Sequence, residues 1–301
     1  MTSGDQVYDV VIIGAGPAGL SAAALLARCK RDVVVIGERE RANSVAEAVH
    51  NVPLWEGMPP EALYSAMEEQ LSARGVQVLA KYVDRVETNE QAGLVSARGE
   101  WGSVTAKRLL LATGLDYQPP SWVPAGTWGR AVFSCPFCHA SEHSGEAFAV
   151  VGPGPHAVEI ALLAQAHAAC ITVLTDDNAS HGPAADRLRE LGGEVVVDTV
   201  VDAESLTSGG VRLKTEGGRI VEAGAVLVAG VMRARRALTE MVGLQPSPTG
   251  LPEVDSDGRT ANPLVWLAGN AAKPQYMVVE SMGTGIRAGV SLHRDLTIPS
   301  V

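Results

Sequence analysis

The stretch Val7-Tyr-Asp-Val-Val-Ile-Ile13 leads directly into Gly14-Ala-Gly16-Pro17-Ala18-Gly19, near the start of a 301-residue chain. Its first part is an apolar run, which is typical of a parallel strand buried on both faces. A helical pattern over residues 20–28 follows the glycines. In such a unit the first glycine permits a tight turn, the second lets the backbone approach a pyrophosphate, and the third lets helix and strand pack closely. The stretch therefore predicts a dinucleotide-binding Rossmann unit.

An acidic residue stands at the expected distance beyond these glycines. A second apolar strand, 33–36, is followed by Glu38, which lies 38 − 19 = 19 residues past Gly19. The motif expects a carboxylate about 20 residues on, where it holds a ribose hydroxyl. The helix N-terminus would present free N–H groups to the phosphates. Strand, glycines, helix and carboxylate together predict dinucleotide binding here.

The same arrangement recurs in the middle of the chain. An apolar run, 147–151, precedes Gly152-Pro153-Gly154-Pro155-His156-Ala157, and a helical pattern covers 158–169. Asp176 lies 176 − 157 = 19 residues past Ala157, again at the acidic position. Pro153 weakens this second site because it removes an N–H from a loop whose amides should hold phosphate. The two motifs predict an α/β protein with two Rossmann-like, doubly wound, three-layer domains.

Shorter patterns fill the rest of the chain. An amphipathic helix is predicted at 61–74, and the segments 76–79, 83–87, 94–97 and 104–106 predict a small antiparallel insertion. The run 109–114 predicts a buried strand that ends on a glycine, and Pro119-Pro120 marks a domain break. Further strands are predicted at 171–174, 194–200, 211–214 and 226–228. After the turn-rich segment 245–258 the chain returns in the apolar run that begins at 264, and a last helix is predicted at 281–296.

Composition restricts the classes of function. The net charge of −10 and the aromatic content of 4% argue against non-specific nucleic-acid binding. No apolar run approaches the roughly 20 residues of a membrane span, and the start of the sequence has no signal-peptide pattern. Cys29 and Cys170 stand alone in apolar surroundings, which predicts buried, inert thiols. These features predict a soluble, cytoplasmic protein that binds neither membranes nor nucleic acids.

The segment Ser134-Cys135-Pro-Phe-Cys138-His139-Ala-Ser-Glu142-His143 carries the reactive chemistry. Two cysteines at this spacing can form a small disulfide ring or a dithiol with a lowered pKa. A zinc site is disfavoured because its four ligands would have to come from nine residues, with no distant second pair. The spacing also matches the attachment pattern of c-type haem, which requires export, and two inert buried cysteines are a further alternative. Spacing alone favours an exchange-ready dithiol without deciding between these possibilities.

Taken together, the motifs resemble the low-molecular-weight thioredoxin reductase family over nearly the whole chain. The matching segments are Gly14–Gly19, Ala112-Thr113-Gly114, Cys135-Pro-Phe-Cys138, the Gly152 loop and Ala268-Gly269-Asn270. The resemblance implies an FAD domain formed by residues 1–117 and 246–301, with an NAD(P)-binding-like domain inserted at 118–245. It also implies a homodimer, and a cysteine pair that lies beside the flavin.

The resemblance assigns the cofactor contacts. FAD would be bound by the glycine loop and by five later segments of the chain. The residues are Gly14, Gly16, Pro17, Ala18, Gly19, Glu38, Arg39, Asn51, Ala112, Thr113, Gly114, Gly269, Asn270, Met277 and Val278. Asn270 stands where the family has an aspartate, and Tyr276-Met277-Val278 where it has Arg-Gln-Ala. His50, next to Asn51, is given no role.

Departures from the reductases point to one branch of the family. Asp176 and Asp177 stand where NADPH-dependent members carry basic residues for the 2′-phosphate, although NADH binding through Asp176 stays open. His139 and Glu142 replace the residues that reductases carry after the second cysteine. The segment resembles the gliotoxin- and holomycin-type oxidases, which oxidise small dithiols with oxygen and lack a working NADPH site.

This resemblance implies a mechanism of thiol exchange. A substrate thiolate would attack Cys135 and expel Cys138, and the second substrate thiol would then release a cyclic disulfide. Cys138 would pass the electron pair to FAD, and oxygen would become hydrogen peroxide. His139 is the first candidate base, followed by Glu142 and His143. An NAD(P)H-dependent disulfide reductase is the alternative enzyme, and a non-catalytic flavoprotein sensor is the alternative outside catalysis.

Overall fold

The chain divides into two compact units in the computed structural model, which describes residues 6–175, 181–248, 250–274 and 277–298. Unit 1 comprises Met1–Ser44, Asn51–Asp116 and Arg233–Val301. Unit 2 comprises Val45–His50 and Tyr117–Met232. The chain therefore crosses between the units at four points.

Among the described residues the strands are, in chain order, β1 (Val7–Ile13), β2 (Val33–Ile36), β3 (Gln77–Leu79), β4 (Arg85–Asn89), β5 (Leu94–Gly99), β6 (Gly102–Leu111), β7 (Leu115–Tyr117), β8 (Val132–Phe133), β9 (Ala147–Val151), β10 (Cys170–Thr175), β11 (Glu194–Val197), β12 (Val200–Ser205), β13 (Val211–Thr215), β14 (Ile220–Ala223), β15 (Ala225–Val228), β16 (Met232–Ala234) and β17 (Val265–Leu267).

The α-helices in the same part of the chain are α1 (Pro17–Arg28), α2 (Pro60–Ser72), α3 (Pro136–His139), α4 (Gly154–Ala164), α5 (Pro183–Glu190), α6 (Ala237–Met241) and α7 (Val278–Asp295). Short 3₁₀ turns cover Ser141–His143 and Gly269–Ala271. None of the described helices is long and apolar enough to cross a membrane.

Unit 1 is built on the sheet β3-β2-β1-β6-β5-β4, with β17 paired to the end of β6. The strands β3, β2, β1, β6 and β17 are parallel, whereas β4, β5 and the first half of β6 are antiparallel. Alternate residues of β1 face opposite sides, so Val10 and Ile12 pack under α1, α2 and α7. Val11 and Ile13 pack in the second core, against the antiparallel strands and the residues after α6.

Close contact between α1 and α7 joins the two ends of the chain within unit 1. A Cβ atom at Gly285 of α7 would lie 2.1 Å from the carbonyl oxygen of Ala18, at the start of α1. A side chain there would force the helices apart, because buried atoms tolerate no such overlap. The small residues of α7 therefore bring the last helix against the glycine loop.

Unit 2 repeats this plan on the parallel sheet β11-β10-β9-β15-β8. One face packs against α4 and α5. The other packs against the antiparallel sheet β12-β13-β14 and the partly buried Trp122 and Trp128. Both units thus have three layers, which confirms the predicted α/β class with two Rossmann-like domains.

Several predicted elements differ in extent. The segments 104–106 and 109–111 form one strand, β6, which ends at Leu111, so the predicted residues 112–114 lie beyond it. Residues 102–106 pair with β5, 105–111 with β1 and 109–111 with β17. The segment 76–79 is not part of the antiparallel insertion, because β3 lies parallel to β2 at the far edge of the sheet. The segment 194–200 is divided between β11 and β12.

The second boundary between the units also differs from the predicted residue 245. The chain returns to unit 1 at Arg233, because Leu238, Val242 and Leu244 in and after α6 pack into the core of unit 1. Val45–His50 was not predicted to leave the first domain, yet it belongs to unit 2.

Candidate functional site

The glycine loop between β1 and α1 has the geometry of a phosphate-binding turn. A Cβ atom at Gly19 would lie 2.0 Å from the carbonyl oxygen of Gly14, so the helix and the loop are in tight contact. A Cβ at Gly16 would meet nothing within 4 Å. The loop therefore leaves its open side at Gly16, where the backbone is free to approach a ligand. Gly16 is also the N-cap of α1, so no side chain caps the first amides of the helix.

The other predicted cofactor segments meet the glycine loop at the same end of the sheet. A Cβ at Gly14 would lie 2.2 Å from the oxygen of Ala112, and one at Gly37 would lie 2.5 Å from the nitrogen of Ala15. A Cβ at Gly269 would lie 2.9 Å from that of Ala18. The strands β1, β2, β6 and β17 thus end around one turn, where ligands bind in open α/β sheets.

The remaining predicted contacts surround this turn less tightly. Glu38 and Arg39 are exposed directly after Gly37, and Thr113 and Gly114 continue from β6. Met277 is the N-cap of α7 and Val278 its first residue, while Asn270 lies in the 3₁₀ turn. Asn51 is exposed with φ +59°, and its N–H donates to Glu56 Oε2 (2.8 Å). The residues around the turn fit a dinucleotide such as FAD, because Gly16 is open and Glu38 stands beyond it.

Arg41 supports the glycine loop, and sequence patterns did not identify it. Its Nε donates to the carbonyl oxygen of Ala15 (2.8 Å), its guanidinium pairs with Glu68, and it lies 4.3 Å from the ring centre of Tyr64. The Arg41 side chain is 5% exposed. Burial raises the pKa of Tyr64 to about 12, so its hydroxyl stays protonated and donates to Asn43 Oδ1 (2.9 Å). The contacts of Arg41 depend on how α2, which carries Tyr64 and Glu68, packs beside the loop.

The second glycine loop, between β9 and α4, lacks the donors that the first loop offers. In the first loop the amides of Ala15 and Gly16 donate to no acceptor within the described part of the chain. Their counterparts in the second loop are Pro153, which has no N–H, and Gly154, whose N–H donates to the buried Thr175 Oγ1 (3.1 Å). The second loop therefore has neither of these amides for a phosphate. Asp176 and Asp177 lie outside the described residues.

Cys135 and Cys138 form a disulfide in unit 2, with their Cα atoms 5.4 Å apart. Pro136 begins the short helix α3 between them, where its fixed φ suits the first helical position. Cys135 is 8% exposed, Cys138 is half-buried, and Phe137 is 50% exposed. The other cysteines differ from the prediction: Cys29 is half-buried, and Cys170 is exposed because it begins β10.

His139, the residue after Cys138, is a buried imidazole. Both ring nitrogens are buried and neither has a regular hydrogen-bond partner among the described residues. The ring stacks on Phe133, with ring centres 5.1 Å apart. Burial lowers its pKa below the ordinary value of 6.5, because the charged form loses hydration. Glu142 and the Gly129 backbone raise this pKa, and His50 and His143 lower it, without reversing the effect of burial.

The polar residues around His139 are paired with one another. His143 Nδ1 lies 2.8 Å from Glu146 Oε2, and its Nε2 lies 3.2 Å from the carbonyl oxygen of Arg130. Glu142 Oε1 lies 3.6 Å from His50 Nε2. The predicted set Cys135, Cys138, His139 and Glu142 is thus together in unit 2, and His50 joins it. No sequence spacing indicated His50, which lies 142 − 50 = 92 residues before Glu142.

The described part of the chain contains no group of three or more His, Cys, Asp or Glu side chains placed to bind a metal ion. The site of unit 2 brings together a disulfide, a buried imidazole and a carboxylate. Such a set can exchange disulfides and accept a thiol proton.

Comparison with known proteins places this arrangement among disulfide oxidoreductases. The model of the pyridine nucleotide-disulphide oxidoreductase family matches residues 8–286. Thioredoxin reductase tcpT of Claviceps purpurea is 26% identical over 286 residues, which cover 86% of this chain and 85% of tcpT. Thioredoxin reductase sirT of Leptosphaeria maculans is 31% identical over 149 residues, 48% of this chain, and the chain spans only 46% of sirT.

A solved structure agrees with these relatives. The structure of HlmI has a TM-score of 0.87 and 28% identity, and the match covers 97% of this chain and 93% of HlmI. The resemblance to thioredoxin reductase-like enzymes that the motifs predicted is therefore confirmed.

Proposed function

The chain belongs to the pyridine nucleotide-disulphide oxidoreductase family, and from this premise we propose that it is an FAD-dependent oxidase of small-molecule dithiols. It is a thioredoxin reductase-like oxidoreductase, so the open question is where its electrons enter. The observation that carries the proposal is the second glycine loop, in which Pro153 and the bond from Gly154 to Thr175 remove two phosphate donors.

A pyridine nucleotide needs those donors. Its pyrophosphate is held by loop amides at a helix N-terminus, and each lost amide leaves phosphate charge less well solvated. The donors of Ala15 and Gly16 in the first loop are free for FAD, whereas the second loop has lost both equivalents. Electrons therefore enter from thiols rather than from NAD(P)H, which argues against the alternative of an NAD(P)H-dependent reductase.

The cysteine pair performs the exchange. A substrate thiolate attacks Cys135, forming a mixed disulfide and releasing Cys138 as thiolate. The second substrate thiolate then attacks the substrate sulfur that is bonded to Cys135. The product leaves as a cyclic disulfide, and Cys135 is released as thiolate. Two electrons have then passed from the substrate to the enzyme cysteines. Since Cys135 is 8% exposed, only a small, flexible thiol has easy access to it.

His139 accepts the proton of the incoming thiol. It directly follows Cys138, and burial keeps its ring neutral near pH 7, which is the state of a competent base. Its two ring nitrogens are buried and have no regular hydrogen-bond partner among the described residues, so the ring is not committed to a side-chain partner as His143 is to Glu146. Glu142 is a second charged group of the site and favours the protonated ring once the proton has been taken.

When bound, FAD would supply the electron-accepting chemistry, with oxygen as the final acceptor and hydrogen peroxide as its product. The chain would hold it through Gly14, Gly16 and Gly19 and the first turn of α1, with Glu38 as the candidate partner of a ribose hydroxyl. The half-exposed ring of Phe137 offers the dithiol an apolar contact next to the disulfide. We further propose that the enzyme is a homodimer, as the family resemblance implies.

Anaerobic reduction of the bound flavin tests this function. We expect the flavin absorbance to bleach on addition of a small dithiol and to stay unchanged with NADPH or NADH. Admitting air should restore the absorbance and release one hydrogen peroxide per dithiol consumed. Bleaching by either nucleotide at a comparable rate would instead support the reductase.

Serine variants of the cysteines test the order of exchange. Cys135→Ser should abolish turnover, because no disulfide remains to be attacked. Cys138→Ser leaves Cys135 as a free thiol; offered an acyclic disulfide of a small thiol, it should release one thiol and keep the other on Cys135 as a mixed disulfide, which intact-mass measurement detects. An adduct found only on Cys138 of the Cys135→Ser variant would reverse the two roles, and continued thiol oxidation in both variants would exclude the mechanism.

A further inference from the structure

A short strap, Val45–His50, belongs to unit 2 although the residues on both sides of it belong to unit 1. Val49 is 2% exposed. Val45 covers Gly129 so closely that a Cβ atom there would lie 2.7 Å from Val45 Cγ2. Glu47 Oε1 lies 3.2 Å from Arg130 Nε. The strap is therefore packed on the segment that leads through β8 to the cysteine pair.

The last residue of the strap reaches the site itself. His50 Nε2 lies 3.6 Å from Glu142 Oε1, and the two side chains are 19% and 46% exposed. Glu142 follows His139 by three residues, in the 3₁₀ turn after α3. One carboxylate thus stands near two imidazoles, and the strap brings the second of them.

We propose that His50 is a positioning residue of the thiol-oxidation site, which holds the carboxylate of Glu142 and thereby controls how readily His139 takes a proton. This inference rests on the proposed function only in treating His139 as the base. The pairing of His50 with Glu142 is a property of unit 2 whatever substrate the enzyme oxidises.

The charges that face His139 set the direction of the effect. They come from the strap (His50) and from the 3₁₀ turn (Glu142 and His143), with the Gly129 backbone as a further polar group. Glu142 raises the pKa of His139, and His50 and His143 lower it. Removing His50 removes a group that lowers the pKa of His139. It also leaves Glu142, which the 3₁₀ turn keeps three residues after His139, without its His50 partner. Both consequences raise the pKa of His139. Removing the Glu142 charge lowers it.

NMR titration of the His139 ring in the full-length holoenzyme tests the inference. We expect His50→Gln to raise the pKa of His139 and Glu142→Gln to lower it, each by about half a unit or more. The two partners of one ion pair then act in opposite directions, which a merely structural contact would not produce. His156→Gln is the matched control, because His156 Nδ1 also lies 3.6 Å from a glutamate, Glu159, but does not act on His139.

The pH profile of anaerobic flavin reduction by a dithiol gives the second readout. Its acidic limb should move to higher pH in His50→Gln and to lower pH in Glu142→Gln. An unchanged His139 titration in both variants, or shifts in the same direction, would overturn the inference. If the titrations shift as expected while no dithiol reduces the flavin, the inference stands and the proposed function fails.

Discussion

The protonation of a single buried residue, His139, determines the pH dependence of the proposed reaction. Burial holds its pKa below the ordinary value of 6.5, so the ring is neutral at neutral pH and becomes charged as the pH falls through the lowered value. A base has to be neutral to accept the thiol proton. We expect His139→Gln to slow dithiol-driven flavin reduction at neutral pH about 10²-fold, measured by anaerobic stopped-flow absorbance.

A second histidine of unit 2 provides the control for this experiment. His167 Nδ1 lies 3.0 Å from Ser144 Oγ and has no charge effect on His139. His167→Gln should therefore keep the wild-type rate and the wild-type acidic limb. Equal losses in the two variants would mean that His139 supports the fold of this segment rather than the proton transfer.

At this scale the sequence predicted the residues whose chemistry depends on near neighbours. Cys135, Cys138, His139 and Glu142 lie within eight consecutive positions, so their proximity follows from the chain itself. His50 and Arg41 were missed because their partners, Glu142 and Glu68, come from separate elements. Burial of the His139 ring was also beyond the sequence, since its stacking on Phe133 depends on how β8 is placed.

In the turn from β1 to α1, we expect two glycines three residues apart to serve different purposes. Gly16 is needed for cofactor binding, and Gly19 is needed for the fold. Gly16 has φ −87° and open space around its Cβ position, so alanine fits the fold there. Gly16→Ala should leave the free energy of unfolding within about 0.5 kcal/mol of wild type. Its methyl group should nevertheless weaken FAD binding about tenfold or more, because the backbone can no longer approach the pyrophosphate.

Gly19→Ala should give the opposite pattern. Its Cβ would lie 2.0 Å from the Gly14 oxygen, and relief of this overlap should cost about 1–3 kcal/mol in urea unfolding. Flavin fluorescence titration measures the binding of both variants. Tight FAD binding by Gly16→Ala would show that the pyrophosphate lies elsewhere.

The predicted elements were most accurate where apolar runs are continuous. The strands 7–13, 33–36 and 147–151 have the predicted bounds, because a parallel strand buried on both faces has a distinct composition. Helices begin earlier than predicted, α1 at Pro17 and α7 at Val278, because the first turn needs no apolar residue. The sequence patterns predicted β6 as two segments because its first residues, 102–106, also pair with the antiparallel strand β5.

On the scale of the whole molecule, FAD should stabilise the two units unequally. A ligand that binds only the folded state of unit 1 raises the free energy needed to unfold that unit. The increase is about 2.7 kcal/mol when the free FAD concentration is 100 times the dissociation constant. Amide exchange in β1, β2 and α1 should therefore slow when FAD is added to the apoprotein. The strand β9 and the helix α4 should change much less.

NADPH provides the contrasting ligand in the same exchange experiment. It should leave β9 and α4 unchanged, because the second glycine loop lacks the phosphate donors of the first. Protection of α4 by NADPH would contradict the proposed route of electrons. Equal protection of both units by FAD would mean that the flavin is not held by unit 1 alone.

The division of the chain was predictable in outline because each glycine motif marks the start of its own sheet. The return to unit 1 was placed after residue 245, since α6 is only five residues long and gives little periodicity to read. The strap was not predictable, because its six residues carry no pattern of their own. Their place in unit 2 depends on the complementary surface around Gly129.

Because of the strap, unit 2 cannot be exchanged between relatives as one continuous stretch of sequence. Recombination that exchanged only residues 117–232 with a relative would pair the old Val49 and His50 with a foreign surface. The residues of the cysteine site are therefore encoded in two separate segments of the gene. A graft of this site has to carry codons 45–50 together with the segment that contains the cysteines.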